Sequence, residues 1–339
     1  MTGSRGETPH ATPGSPDGAR IETLRARTTI IRHIRAFFDR RGYLAAETPQ
    51  LTATPIPEAH IELFATEMID PGATGHADAP LFLLPSPEYY LKQLLAAGSG
   101  SLYEITHSFR NAESRGPQHN PEFTMLEYYT VDADGADSLA ITAELLRELG
   151  ETRPALIISM QEAWRRWTGI DLETTLQGTP EENRAALVEQ ISARRLTIRI
   201  EPEETWEDLF QRVFLSHVEP EIPQDRPVYI TDYPAAIPTL ARRIPGTPWA
   251  DRWELYLSGM EVANCFGEET DPDRISAFMA AQAEVKARTR VVTHPRDARF
   301  LQPPGVLPRC SGVALGVDRL VMHLLKEDTI QRVISFPLF

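Results

Sequence analysis

Apolar side chains at Leu24, Ile30, Ile31, Ile34, Phe37 and Phe38 recur at helical spacing with arginines between them. They predict a helix over residues 21–41, closed by Gly42 at a C-cap, and residues 43–51 then read as extended up to Pro49. Short apolar runs predict strands over 81–84, 102–109 and 123–131, with a helix over 89–97 that Gly98-Ser-Gly100 stops. Further helices are predicted over 141–149, 182–195, 206–217 and 275–290. A short strand is expected over 228–231, a strand pair within 253–264, and a Gly-spaced strand from Val313 running into a last helix over 319–325. Strands separated by long irregular inserts, without regular βαβ spacing and without an internal repeat, point to the α+β class with an antiparallel sheet.

Composition narrows the function. A chain of 339 residues with 42% hydrophobic and 24% charged residues suits a globular enzyme with a large core. The formal net charge of -14 disfavours a broad, sequence-independent nucleic-acid binder, which needs excess Lys and Arg for phosphates. The two cysteines, Cys265 and Cys310, lie far apart and offer no zinc-ligand spacing. No apolar run approaches the roughly 18 residues of a membrane span, so no membrane partner and a cytoplasmic location are expected. Residues 1–20 are rich in Gly, Pro, Ser and Thr and lack an apolar stretch, which reads as a disordered tail and not a secretory signal.

Five pieces carry candidate chemistry. Between the strands at 102–109 and 123–131, Arg110 could meet a phosphate and Glu113 the polar edge of a nucleotide. Arg and Glu on a hairpin also make an ordinary surface pair. In His119-Asn-Pro-Glu-Phe123, Asn120 offers a donor and an acceptor, and Phe123 could stack on a purine, although a strand aromatic is more often core. In Gly312-Val-Ala-Leu-Gly-Val-Asp-Arg319, Gly316 permits close approach of a ligand to the backbone, and Arg319 could meet a phosphate at a helix start. Glu254, Glu261 and Glu268, with Asn264 among them, could serve Mg2+ or a substrate ammonium, or form a solvated acidic edge. Ser86-Pro-Glu88 could grip an amine, or simply start a helix.

These pieces, in this order, resemble the catalytic core of class II lysyl-tRNA synthetases. The helix and strand up to Pro49 look like motif 1, the run from Arg110 to Glu127 like motif 2, and Ala314 to Arg319 like motif 3. With only about 20 residues before the first motif, an anticodon-reading OB domain is not expected, and residues 21–339 read as one catalytic domain. That organisation, with Ser86-Pro-Glu88 and Cys310-Ser-Gly-Val-Ala-Leu-Gly316, resembles the elongation factor P lysine ligase family. The resemblance implies a homodimer around a six- to seven-stranded antiparallel sheet, using ATP and Mg2+ to adenylate (R)-β-lysine or lysine. The acceptor would be a lysine of elongation factor P, with no stable tRNA binding. Carried over by motif, Arg110 and Arg319 would be catalytic. Glu113, Asn120, Phe123, Glu261, Val262 and Gly316 would serve ATP, and Glu254 with Glu261 the metal. Ser86, Glu88, Tyr129, Asn264, Glu268 and Ala314 would line the substrate. Ala314 stands where the synthetases have Gly, and its methyl would crowd an α-amino group. Ala112, Cys265 and Pro303-Pro304 depart from the family pattern. The rivals are adenylation of another amino acid for another acceptor, and a non-catalytic paralogue that only binds.

Overall fold

The computed structural model describes residues 18–56, 58–69, 80–112, 116–292 and 307–338. The first helix, α1 (Gly18–Arg40), buries Ile34, Phe37 and Phe38 completely. Gly42, at φ +74°, ends it, and Tyr43 N donates back to the Phe38 carbonyl at 3.2 Å. The tail expected over residues 1–20 lies outside the described residues up to 17, and residues 18–20 belong to α1. The segment toward Pro49 is extended and contributes β1 (Leu44–Ala45), with β2 (Leu51–Thr52) after it.

Two long strands, β5 (Leu102–Phe109) and β6 (Glu122–Val131), pair antiparallel in full register. Their alternation sorts the side chains. Tyr103 and Tyr128 face the core, where Phe38 packs on both at ring-centroid distances of 5.0 and 4.8 Å. Glu127 and Tyr129 face the opposite side. Next to β6 runs β11 (Cys310–Gly316), then β10 (Met260–Gly267), β9 (Trp249–Leu257), β8 (Val228–Pro234) and β7 (Leu156–Ser159). The central sheet therefore has eight strands, not six or seven, and is mixed: β1 pairs parallel with β5, and β7 parallel with β8, at its two edges. Of the two edge strands, β1 falls within the segment expected to be extended over 43–51, whereas Leu156–Ser159 is too short to show alternation and was not legible. A smaller sheet orders β2, β4 (Pro80–Leu83) and β3 (Phe64–Glu67).

One face of the large sheet is covered by α1, α3 (Gly135–Glu148) and α8 (Val317–Leu325), which share a core with Leu126, Leu255, Val313 and Leu315. The helix predicted over 141–149 starts earlier, because Asp134 caps it reciprocally with Asp137. A second core joins α4 (Met160–Thr168), α5 (Pro180–Ala193) and α6 (Trp206–Val213) to β7 and β8, with Trp164 and Trp206 stacked on Phe210. Past α6 the chain widens into a π-helical turn, Phe214–Val218. On the open face lie α2 (Glu88–Ala96) and α7 (Pro272–Thr289), whose Met279 packs with Ile56 and Tyr89. Among the described residues no helix is long and apolar enough to cross a membrane.

Candidate active site

The open face carries two adjoining sites. At one end, β5 turns into the loop leading to β6, and Arg110 N donates to the Pro121 carbonyl at 2.9 Å, closing the loop's mouth. The Arg110 guanidinium lies 5.2 Å from the Phe123 ring centroid. Across the cleft, Arg319 sits in the first turn of α8. It donates to the Glu261 carbonyl at 2.7 Å and the Gln118 carbonyl at 3.3 Å, with His119 Nε2 at 3.0 Å. Its neighbour Asp318 also borders the cleft but is engaged by structure. It accepts from Thr124 N at 2.7 Å and Arg27 at 2.5 Å, and so pins α1 and β6 to α8 beneath the site. At Gly316 an added methyl would meet nothing closer than the Val262 carbonyl at 3.7 Å. The protein itself does not require glycine there, so the bare backbone suits close approach of a ligand.

Arg110, Phe123, Glu261, Val262, Asn264 and Arg319 thus line one cleft, with Asn120 at its floor. Asn120 is committed to structure: its amide donates to the Glu122 carbonyl, and its Oδ1 accepts from Leu338 N at 3.1 Å. Glu113 lies outside the described residues, as do Pro303 and Pro304. Ala112 adopts φ +54°, a left-handed turn geometry. Cys265 is fully buried in the helix-covered core, paired in register with Val313 and Trp253, so this departure does not reach the cleft.

Glu254 is already held, its Oε1 by Arg252 at 2.6 Å and its Oε2 by the Tyr256 hydroxyl at 2.8 Å. Burial, and then the Glu254 charge, push the Glu261 carboxyl up to about 7. Two acids that repel in this way fit a cation placed between them and nucleotide phosphates. No group of three or more potential ligands stands ready among the described residues, so the nucleotide would complete the coordination.

The other end is acidic. Ser86 Oγ accepts from Glu88 N at 3.0 Å, starting α2, and donates to Glu127 Oε2 at 2.7 Å. Helix-start and pocket roles therefore coexist in this serine. Tyr129 donates to Glu127 Oε1 at 2.7 Å. Glu127 is 2% exposed; burial, and then Glu88, raise its carboxyl to about 8. Glu268 is equally buried and raised to about 7, burial outweighing the pull of Lys92. Lys92 Nζ bridges Glu88 at 2.5 Å and Glu268 at 2.7 Å. Gly312 floors this pocket: a methyl there would fall 2.4 Å from Tyr129 Cε1 and 2.6 Å from Glu268 Oε1.

Ser86, Glu88, Tyr129 and Glu268 therefore converge. Glu127 and Lys92 were missed. Glu127 carries a signal, being the charged residue in an otherwise apolar Met125 to Tyr129 alternation. Lys92 lies four residues after Glu88 on the buried stripe of Tyr89, Leu91 and Leu95. Ala314 joins the two ends, being paired in register with Glu127 on one side and Asn264 on the other.

Over residues 18–339 the chain matches the family described as tRNA synthetases class II (D, K and N). It is similar to the elongation factor P–(R)-beta-lysine ligase of Vibrio cholerae, at 37% identity over 94% of this chain and 96% of that protein. The protein of the same name from Erwinia tasmaniensis is 37% identical over 94% and 95%, and that from Yersinia enterocolitica 36% identical over 98% of each.

Proposed function

The chain belongs to the class II tRNA synthetases and, within them, to the elongation factor P–(R)-beta-lysine ligases, and from that premise we propose how its cleft works. It is an ATP-dependent amino acid ligase that activates (R)-β-lysine and transfers it to a lysine side chain of elongation factor P. The observation that carries this reading is the juxtaposition, on one sheet face, of a guanidinium-lined cleft and a buried acidic pocket with Ala314 between them. The acidic pocket suits the ammonium groups of a diamino acid, Arg110 suits the triphosphate, and Arg319 suits the base.

In the first step the substrate carboxylate attacks the α-phosphorus and pyrophosphate leaves. Arg110 stabilises charge that grows on the α-phosphoryl oxygens. Phe123 below it and Arg319 opposite hold the base. Glu254 and Glu261 would hold Mg2+, which when bound neutralises phosphate charge. In the second step a lysine amine of the acceptor attacks the mixed anhydride and AMP leaves. Positioning alone suffices there, since the acyl group is already activated. The Ala314 methyl, between Glu127 and Asn264, excludes an amine on the α-carbon and favours the β-isomer.

We further read the chain as a homodimer working in the cytoplasm without stable tRNA, the acidic net charge of -14 supporting the last point. The test is ATP–pyrophosphate exchange with (R)-β-lysine, α-lysine and other amino acids. Exchange strongest with (R)-β-lysine is expected, and none with any of them defeats the reading. Mass spectrometry of elongation factor P should then show one added β-lysyl group; an unmodified acceptor despite exchange removes the acceptor assignment.

A further inference from the structure

The acidic pocket already contains an amine of its own. Lys92 is 6% exposed, its Nζ lies within 2.7 Å of two carboxylates that would otherwise receive substrate, and the Tyr129 ring stands 6.0 Å away. A lysine in the core is costly unless paired, and here it is paired twice. Burial alone would lower its pKa, but Glu268 and Glu88 outweigh that and keep the ammonium charged.

We propose that Lys92 is a positioning residue that sets the charge of the amine pocket, leaving it complementary to a substrate with two ammonium groups. This rests on the amino-acid activation proposed above. Three acids meet in the pocket, Glu88 from α2, Glu127 from β6 and Glu268 from the end of β10. With all three acids ionised, one fixed ammonium leaves two negative charges, the number a diamino acid neutralises; without ligand, Glu127 near 8 and Glu268 near 7 carry bound protons that the substrate displaces. The surrounding charges do not alter that balance. Arg242 is paired with Asp251 at 2.8 Å. Glu58, in the loop after β2, is raised to about 7 by burial and then by Glu88, and Arg110 and Lys286 counter its charge. Burial raises the Tyr129 hydroxyl, and raises the Cys310 thiol to about 12, so both are neutral. Lys92 also holds Glu88 and Glu268 on one side of the pocket, leaving Glu127, with its two hydroxyl donors, as the acid without an internal cation. A pocket without Lys92 would crowd three like charges and hold its protons to higher pH.

The test compares wild type, Lys92→Met and Lys92→Arg in pyrophosphate exchange across pH, together with the pH dependence of thermal stability without ligands. In Lys92→Met the KM for the amino acid should rise about tenfold or more, with the KM for ATP unchanged. The acidic limb of kcat/KM should move up by about one pH unit, and Lys92→Arg should restore that limb. Without ligands, the loss of stability from pH 6 to 8 should be steeper in Lys92→Met. A folded Met variant with unchanged KM and pH profile overturns the proposal. So does an Arg variant as displaced in pH as the Met variant, since lost packing and not lost charge would then explain both. If Lys92→Met does not fold, the Arg variant's pH limb decides alone. Absence of exchange by the wild type with every diamino acid defeats the activation reading, while the ligand-free stability curves still judge Lys92.

Discussion

The two ends of the cleft meet charge in opposite ways. At the nucleotide end, Arg319 is held by backbone carbonyls and Arg110 lies over an aromatic ring, both half-buried. The Arg319 charge is oriented by carbonyl dipoles, and the Arg110 charge rests on a π face. At the amine end Glu127 and Glu268 are buried and Glu88 is half-buried, and each is already engaged by a hydroxyl or by Lys92. The first arrangement is ready to stabilise charge that appears during reaction. The second carries a standing electrostatic cost that a cationic ligand relieves. Selectivity should therefore reside at the amine end and rate at the nucleotide end.

The sharpest way to break this comparison is Arg110→Ala. It should lower the kcat of exchange by about 10²- to 10³-fold, while calorimetry finds amino-acid affinity nearly intact. An equal loss of both would erase the division. Glu127→Gln is the converse. Its amino-acid KM should rise by roughly 10- to 100-fold, as expected for losing a charged hydrogen bond, with the KM for ATP unchanged. Gly312→Ala drives a methyl into Tyr129 and Glu268 and should cost about 1–3 kcal/mol in a denaturant titration, with loss of amino-acid binding. Stability equal to wild type would show that the floor of the pocket yields.

Two gentler measurements sharpen the picture. Glu127, Glu261 and Glu268 sit near 7 to 8 instead of their ordinary 4.5. They bind protons on folding, so the ligand-free melting temperature should fall as pH rises from about 5 to 8. Saturating substrate should flatten that fall; a flat profile without substrate would mean that the acids are not strained. Ala314→Gly should have the smallest effect, a several-fold gain in use of α-lysine over (R)-β-lysine. An unchanged preference would remove the steric argument.

The nucleotide end was readable because two continuous segments build it. Arg110 to Phe123 and Gly312 to Arg319 each combine turn residues, a guanidinium and a strand. The amine end draws on α2, β6, β11 and the end of β10, so its members are neighbours only once register is set. Ser86 and Glu88 announced themselves through the helix start. Lys92 did not, because a lysine on a helix normally reads as solvent-facing and only tertiary burial gives it another role. The parallel pairing at the sheet edges was hidden for a related reason: it is set by the partners of β1 and β7, not by any pattern of their own.

Asn120 Oδ1 accepts its hydrogen bond from Leu338, 218 residues further along the chain, and Pro117 accepts one from Ile330. During synthesis at roughly 5–20 residues per second, about 10 to 45 s pass between the making of this loop and of the residues that brace it. For that interval a nascent chain displays its phosphate-facing hairpin without its brace. A polypeptide stalled before the last strand and helix would lack Arg319 and Gly312 as well, and so could neither grip a nucleotide nor close the acidic pocket.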